Sequence, residues 1–255
     1  MKNVLKLASA GVAAGVLSMA AWSGPAVAAE DHPAVKRPFD LPPSADLNYS
    51  IGARQHGFNL SGDALLTWRA SDAKYAISAE SRVAMLGKLT ENRSKGVVDA
   101  WGLAPTEYYD KRFRKDPTTA TFDRDAKTIT FSEGDKSYPI KGGEQDRVSV
   151  SWQLVAVARA AKDKFKPGSE WRFFVVGPHD ADPWTFRVVG REKVQAGAAF
   201  GEVDAVHVMR APPDSKDQAL DLWLAPGLEW YPVKLRFSDS DRDYVEQTLE
   251  KITKK

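Results

Sequence analysis

Cysteine is absent from all 255 residues. That removes a disulfide framework, thiolate chemistry and a lipidated cysteine at a processed N-terminus. Charge of one sign is equally scarce. The chain sets 36 Lys and Arg against 34 Asp and Glu and has no dense basic run, so it lacks the electrostatic footprint of a nucleic-acid binder. No Gly-x-Ser-x-Gly elbow, His-Glu-x-x-His pair or phosphate-cradling glycine loop occurs, and each of those motifs carries its own chemistry. After the opening segment no apolar stretch is long enough to cross a bilayer as a helix.

What is present begins with that opening segment. Lys2 and Lys6 precede an apolar stretch from Leu7 to Trp22, and Ala26-Val27-Ala28 follows. Positive, apolar and then small residues make the pattern of a secretory signal peptide. Cleavage is expected after Ala28, with delivery to the bacterial periplasm. It leaves 227 residues with as many acidic as basic side chains, a length that one domain with its own core accommodates.

Residues 29–47 hold four prolines and no apolar period, which predicts an extended lead-in rather than a packed element. From residue 48 the pattern is mostly period two. Tyr49, Ile51 and Ala53 share one face, as do Tyr75, Ile77 and Ala79. Thr119–Ser132 reads as two strands joined by a turn at Asp123 to Lys127. Short strands at hairpin spacing predict an antiparallel, mainly β domain over residues 48–255. Leu220, Leu222 and Leu224 lie on one face ahead of Pro226-Gly227. Tyr231, Val233, Leu235 and Phe237 then alternate with Lys234 and Arg236. One face buried and one solvated suits an antiparallel sheet.

One segment breaks the period. From Arg147 to Lys164 there is no turn signal, the composition is rich in Ala, Lys and Arg, and Pro167-Gly168 ends the run. That length predicts a helix over about 147–164, with Asp146 accepting from the free amides of the first turn.

The segment Gly143 to Asp146 opening a helix, with Trp223 to Pro226 running into Pro232-Val233, resembles the exported bacterial family of unknown function DUF3108. The resemblance covers roughly residues 45 to 255 and makes Gly143, Asp146, Pro226 and Pro232 structural positions. It implies a curved antiparallel half-barrel or β-spiral with the helix on its concave side, similar to periplasmic lipoprotein carriers of the LolA and LolB type. It implies no reaction.

Candidate chemistry is thin. His179 lies near Asp180 and Asp182, and Asp239, Asp241, Asp243 and Glu250 fall at calcium-loop positions. Yet Tyr244 stands where such a loop needs glycine, so a solvated hairpin is expected there, and no metal or cofactor. The aromatic content says more. Seven tryptophans follow the leader, and "RFFVV" and "DLWLA" are apolar on both faces. A second apolar face needs cover from a helix, a partner or a ligand. Trp68, Trp152, Trp171, Phe173, Trp184 and Trp223 are therefore the candidate lining of an apolar site. Three functions fit this pattern. The first is a non-enzymatic envelope protein, monomeric, binding a lipid or other apolar ligand. The second is a scaffold for protein partners, and the third a carboxylate-dependent hydrolase of envelope glycans.

Overall fold

The computed structural model describes residues 32–55, 57–83, 87–210, 218–240 and 242–255. The expected signal peptide (1–28), the start of the lead-in, His56 and Asp241 lie outside the described residues. Among the described residues fifteen strands form one sheet. In chain order they are β1 (Ala45–Gln55), β2 (Phe58–Ala70), β3 (Lys74–Val83), β4 (Gly87–Asp99), β5 (Gly102–Arg112), β6 (Thr118–Asp123), β7 (Thr128–Phe131), β8 (Ser137–Pro139) and β9 (Gln145–Asp146). After the helix come β10 (Glu170–Val176), β11 (Ala181–Gln195), β12 (Glu202–Arg210), β13 (Ala219–Leu224), β14 (Pro232–Ser238) and β15 (Tyr244–Lys254). The single α-helix among the described residues, α1 (Ser149–Ala161), continues as a 3₁₀ turn to Lys164, within the predicted span.

The first and last strands sit side by side at the middle of this sheet. β1 pairs with β15 antiparallel, Ala45 opposite Lys254. From that join the sheet grows outward as two meanders, β2 to β8 on one side and β14 back to β10 on the other. β9 closes the second arm, parallel to β10. The sheet is curved and open, a half-barrel around the helix. Its two free ends, β8 and β9, are consecutive in the chain and linked only by residues 140–144.

Alternation decides which face turns inward. Ala45, Leu47, Tyr49, Ile51 and Ala53 of β1 are all buried, as are Leu220, Leu222 and Leu224 of β13. They meet α1, whose residues Val150, Leu154, Val155, Ala156, Val157 and Ala158 are wholly buried. A helix buried on nearly every side needs apolar residues all round, and "SVSWQLVAVA" supplies them. Trp68 and Trp152 stack at 4.5 Å with their planes 8° apart, and Tyr231 meets Trp152 edge-on at 6.0 Å. A smaller cluster of Tyr108, Ala120, Phe122, Ile129 and Val176 packs the β5–β7 arm against β10. Strands β4 and β5 carry mixed polar faces that alternation does not reveal. They form because each neighbour offers a ladder, Thr90 opposite Arg112 and Ser94 opposite Tyr108.

Candidate functional site

The free ends of the sheet meet at a turn built from the Gly-x-x-Asp segment. Gly142 has φ of +114° and Gly143 of +80°, a region that only glycine enters without strain. A Cβ on Gly142 would lie 2.5 Å from the Trp101 ring, so the indole packs on bare backbone there. The turn folds around the buried carboxyl of Glu144. Its Oε1 accepts from the amide of Lys141 and, at 2.6 Å, from the amide of Gly142. Burial alone would raise this carboxyl. The His32 imidazole and the turn amides outweigh burial and hold it below the usual range. Glu144 Oε2 is buried without a hydrogen-bond partner.

Asp146 is wholly buried two residues on. Its Oδ1 accepts from the amides of Val148 and Ser149 at 2.8 Å, the first turn of α1. Its Oδ2 accepts from Ser94 Oγ at 2.5 Å, and Ser94 pairs with Tyr75 Oη at 3.0 Å. Asp146 is therefore the cap that the sequence predicts, with a second bond to β4. Desolvation dominates over these donors and pushes its carboxyl up to about 6. Gln145 Nε2 bonds the Leu103 carbonyl, and Gln153 of α1 bonds both Trp101 and Leu103. This polar lacing holds β5, β9 and α1 together where no backbone ladder does.

The lead-in is packed, against the expectation of an unpacked segment over 29–47: Ala45–Leu47 open β1, and Trp68 and Tyr231 hold the Pro42 and Pro43 carbonyls against the core. Residues 32–43 form a strap. His32 stacks on Phe174 at 4.4 Å, and its Nε2 lies 3.0 Å from Glu144 Oε1 without aligning as a hydrogen bond. Lys36 lies over Trp101 at 5.3 Å; Arg37 lies over Phe173 at 5.0 Å and Trp171 at 5.8 Å. Partial burial lowers the Arg37 pKa from its usual value. The Asp40 amide donates to the Ala156 carbonyl at 2.9 Å. Trp68 Nε1 donates to the Pro42 carbonyl at 3.0 Å, and Tyr231 Oη to that of Pro43. Each cation–π contact at such positions contributes about 0.5–1 kcal/mol, so the outer half of the strap is held weakly.

The six candidate lining residues do not gather around one cavity. Trp68 and Trp152 stack inside the core. Phe173 and Trp171 lie under Arg37, and Arg210 covers Trp184 at 4.2 Å. Trp223 is on the far side of β13, stacked on His207 at 4.6 Å, with Lys234 above it and Glu192 accepting its Nε1 proton. Two open clefts of about 320 and 590 Å³ are lined by Asp163, Phe165 and Trp230 in one case and by Arg69, Tyr75 and Lys95 in the other. None of the six candidates lines either cleft. Pro226 opens the 3₁₀ turn between β13 and β14, and the Pro232 carbonyl accepts from buried Tyr49 at 2.8 Å. Between β14 and β15 the Asp239 amide donates to the Asp243 carbonyl at 3.0 Å. Among the described residues no three His, Asp or Glu side chains converge to hold a metal.

The residues missed by the sequence reading are His32, Glu144, Trp101 and Arg37. Proline spacing marks the strap as extended, but only tertiary packing places it across aromatic rings.

The family described as a protein of unknown function, DUF3108, matches residues 46–248. The chain belongs to that family. The strap precedes the matched residues. No curated protein matches in sequence. Among solved structures the chain is similar to a β-barrel-like protein of the domain of unknown function DUF1849 from Brucella abortus. That match has a TM-score of 0.56 and 14% identity, covering 85% of this chain and 99% of the other. A DUF1329 family protein from Desulfovibrio piger ATCC 29098 also matches, at a TM-score of 0.27 and 8% identity, over 84% of this chain and 87% of that one. At such identities the first likeness speaks to fold alone, and it agrees with the half-barrel.

Proposed function

We propose that this chain is a non-catalytic, exported protein of the cell envelope that binds another protein. The observation that carries the reading is the occupied concave side. Helix α1 and the Trp68–Trp152–Tyr231 stack fill the space that an acyl chain would need. A lipid in the half-barrel would have to displace a helix with six consecutive-turn residues at zero exposure, which removes well over 100 Å² of apolar surface per large side chain from its partners. The buried carboxylates point the same way. Asp146 caps α1 and Glu144 organises a turn, so both serve the fold. Export rests on the leader pattern of residues 1–28, and the periplasm is the compartment proposed.

Native mass spectrometry of protein purified from its own periplasm tests this reading. The expected spectrum is the mass of the processed chain without small-molecule adducts, with protein adducts appearing after crosslinking in cells. A co-purifying acyl lipid at high occupancy would overturn it in favour of a carrier.

A further inference from the structure

The strap is a proline-rich segment, neither helix nor strand, lying on aromatic rings, and two of its carbonyls are read by ring donors. Trp68 Nε1 takes the Pro42 carbonyl and Tyr231 Oη that of Pro43. Trp101, Trp171, Phe173 and Phe174 carry Lys36, Arg37 and His32 on their faces. Aromatic grooves recognise polyproline-type peptides by this chemistry, because such peptides present free carbonyls and lose little entropy on binding. We infer that the groove under residues 32–43 is a recognition site for an extended, proline-rich segment of a partner protein, occupied in this chain by its own strap.

The imperfections of the cis complex say what the partner segment carries. At the His32 end, Glu144 is wholly buried and its Oε2 has no hydrogen-bond partner; His32 Nε2 lies 3.0 Å from Oε1 alone, off the line of a hydrogen bond, and His32 Nδ1 is buried without a partner. An imidazole offers one proton per nitrogen along fixed directions and fails to reach both carboxylate oxygens. An arginine offers two parallel N–H groups that match a carboxylate in bidentate fashion. Its guanidinium would also stack on Phe174, where the His32 ring lies now. The favoured ligand therefore has an arginine at the place of His32, followed by the basic pair and prolines of the strap pattern. The strap competes from the same chain at an effective concentration that short tethers set in the millimolar range, so a partner segment must bind better than the strap or meet it loosened. This deepens the partner-binding function proposed above and rests on it.

The test uses the full mature chain and two fluorescent peptides read by anisotropy. One peptide has the sequence of residues 32–43, and the other carries His32→Arg. Against wild type, where the strap competes, the Arg peptide is expected to bind at least ten-fold tighter than the strap peptide. Against the double variant His32→Ala with Arg37→Ala, in which the outer strap is loosened, both peptides should gain at least ten-fold. Glu144→Gln should erase the advantage of the Arg peptide while leaving the far-ultraviolet spectrum intact. Equal binding of the two peptides to every variant, or no binding to the loosened variant, overturns the inference. Concentration-dependent dimers of the loosened variant, seen by light scattering, would overturn it too, by making a second copy the occupant. A lipid adduct in the native spectrum of the same sample would instead sink the protein-binding function, so the two failures are distinguishable.

Discussion

The middle and the ends of this sheet close in different ways. At the middle, β1 and β15 are joined by a backbone ladder from Ala45–Lys254 to Arg54–Tyr244, with buried Tyr49 and Leu249 opposite each other. At the ends, β8 and β9 share no ladder, and side chains do the tying: Gln145 to Leu103 of β5, Asp146 to Ser94 of β4, Glu144 to its turn, and Tyr138 of β8 edge-on to Phe174 of β10. The ladder join keeps its polar side chains half-exposed, buries Tyr49 and Leu249, and shares its cost over many small terms. The seam concentrates polar groups in a buried place, and several stay unpaired. Buried polar groups cost free energy unless fully paired, so the seam is where this fold is weakest and where a ligand has most to offer. Hydrogen exchange makes the comparison directly. Amides of β1 and β15 are expected to exchange only on global unfolding, and those of residues 140–148 by smaller openings.

The largest effect is expected in the dry interior. Trp152→Ala deletes a 1% exposed indole from the stack with Trp68 and Tyr231, and a loss of about 3–5 kcal/mol in urea unfolding is expected. A loss below about 1 kcal/mol would mean that α1 is not the core of the half-barrel.

Next comes the seam's titration. Asp146 has a folded value of about 6, raised by burial against its donors Ser94, Val148 and Ser149, with Tyr75 close to it. A carboxyl raised on folding binds its proton more tightly in the folded state, so its contribution is fully present below the ordinary aspartate value and is lost as pH rises through about 6. Wild type should therefore lose roughly 2–3 kcal/mol more than Asp146→Asn between pH 4 and pH 7. Identical slopes in the two proteins would show that Asp146 is solvated.

Gly142→Ala is expected to cost about 1–3 kcal/mol, since the new methyl meets the Trp101 ring at a positive φ. The smallest effect is Arg37→Ala. It should lower stability by about 0.5–1 kcal/mol and yet speed cleavage of residues 32–43 in limited proteolysis. Unchanged cleavage would mean that Phe173 and Trp171 do not depend on Arg37 to hold the strap.

Much of the fold was legible where a single physical period governs the residues. Strands β1 and β13 alternate in burial along nearly their whole length and β3 does so at its start, because one face is buried, and α1 announces itself by length, its Asp146 cap and its Pro167-Gly168 stop. Strands β4 and β5 do not alternate, because both of their faces are mixed and β5 carries Pro105. The site was less legible. Trp68 and Trp152 are read correctly as inward, but a single sequence does not distinguish rings that line a cavity from rings that stack on one another. Trp223 shares a strand with Leu222 and Leu224 and faces the other way, onto His207. The amides around Glu144 are local, but His32 comes to it from 112 residues upstream, and no local pattern encodes such a contact.

The pairing of β1 with β15 also imposes an order in time. A chain delivered from its N-terminus presents β1 early, with one neighbour, β2, and its other edge bare. That edge waits for the last eleven-residue strand, Tyr244–Lys254. Contacts between such distant positions form late because long loops must close first. That edge of β1 is thus covered only once Tyr244–Lys254 is in place, and until then it stands open to wrong pairing.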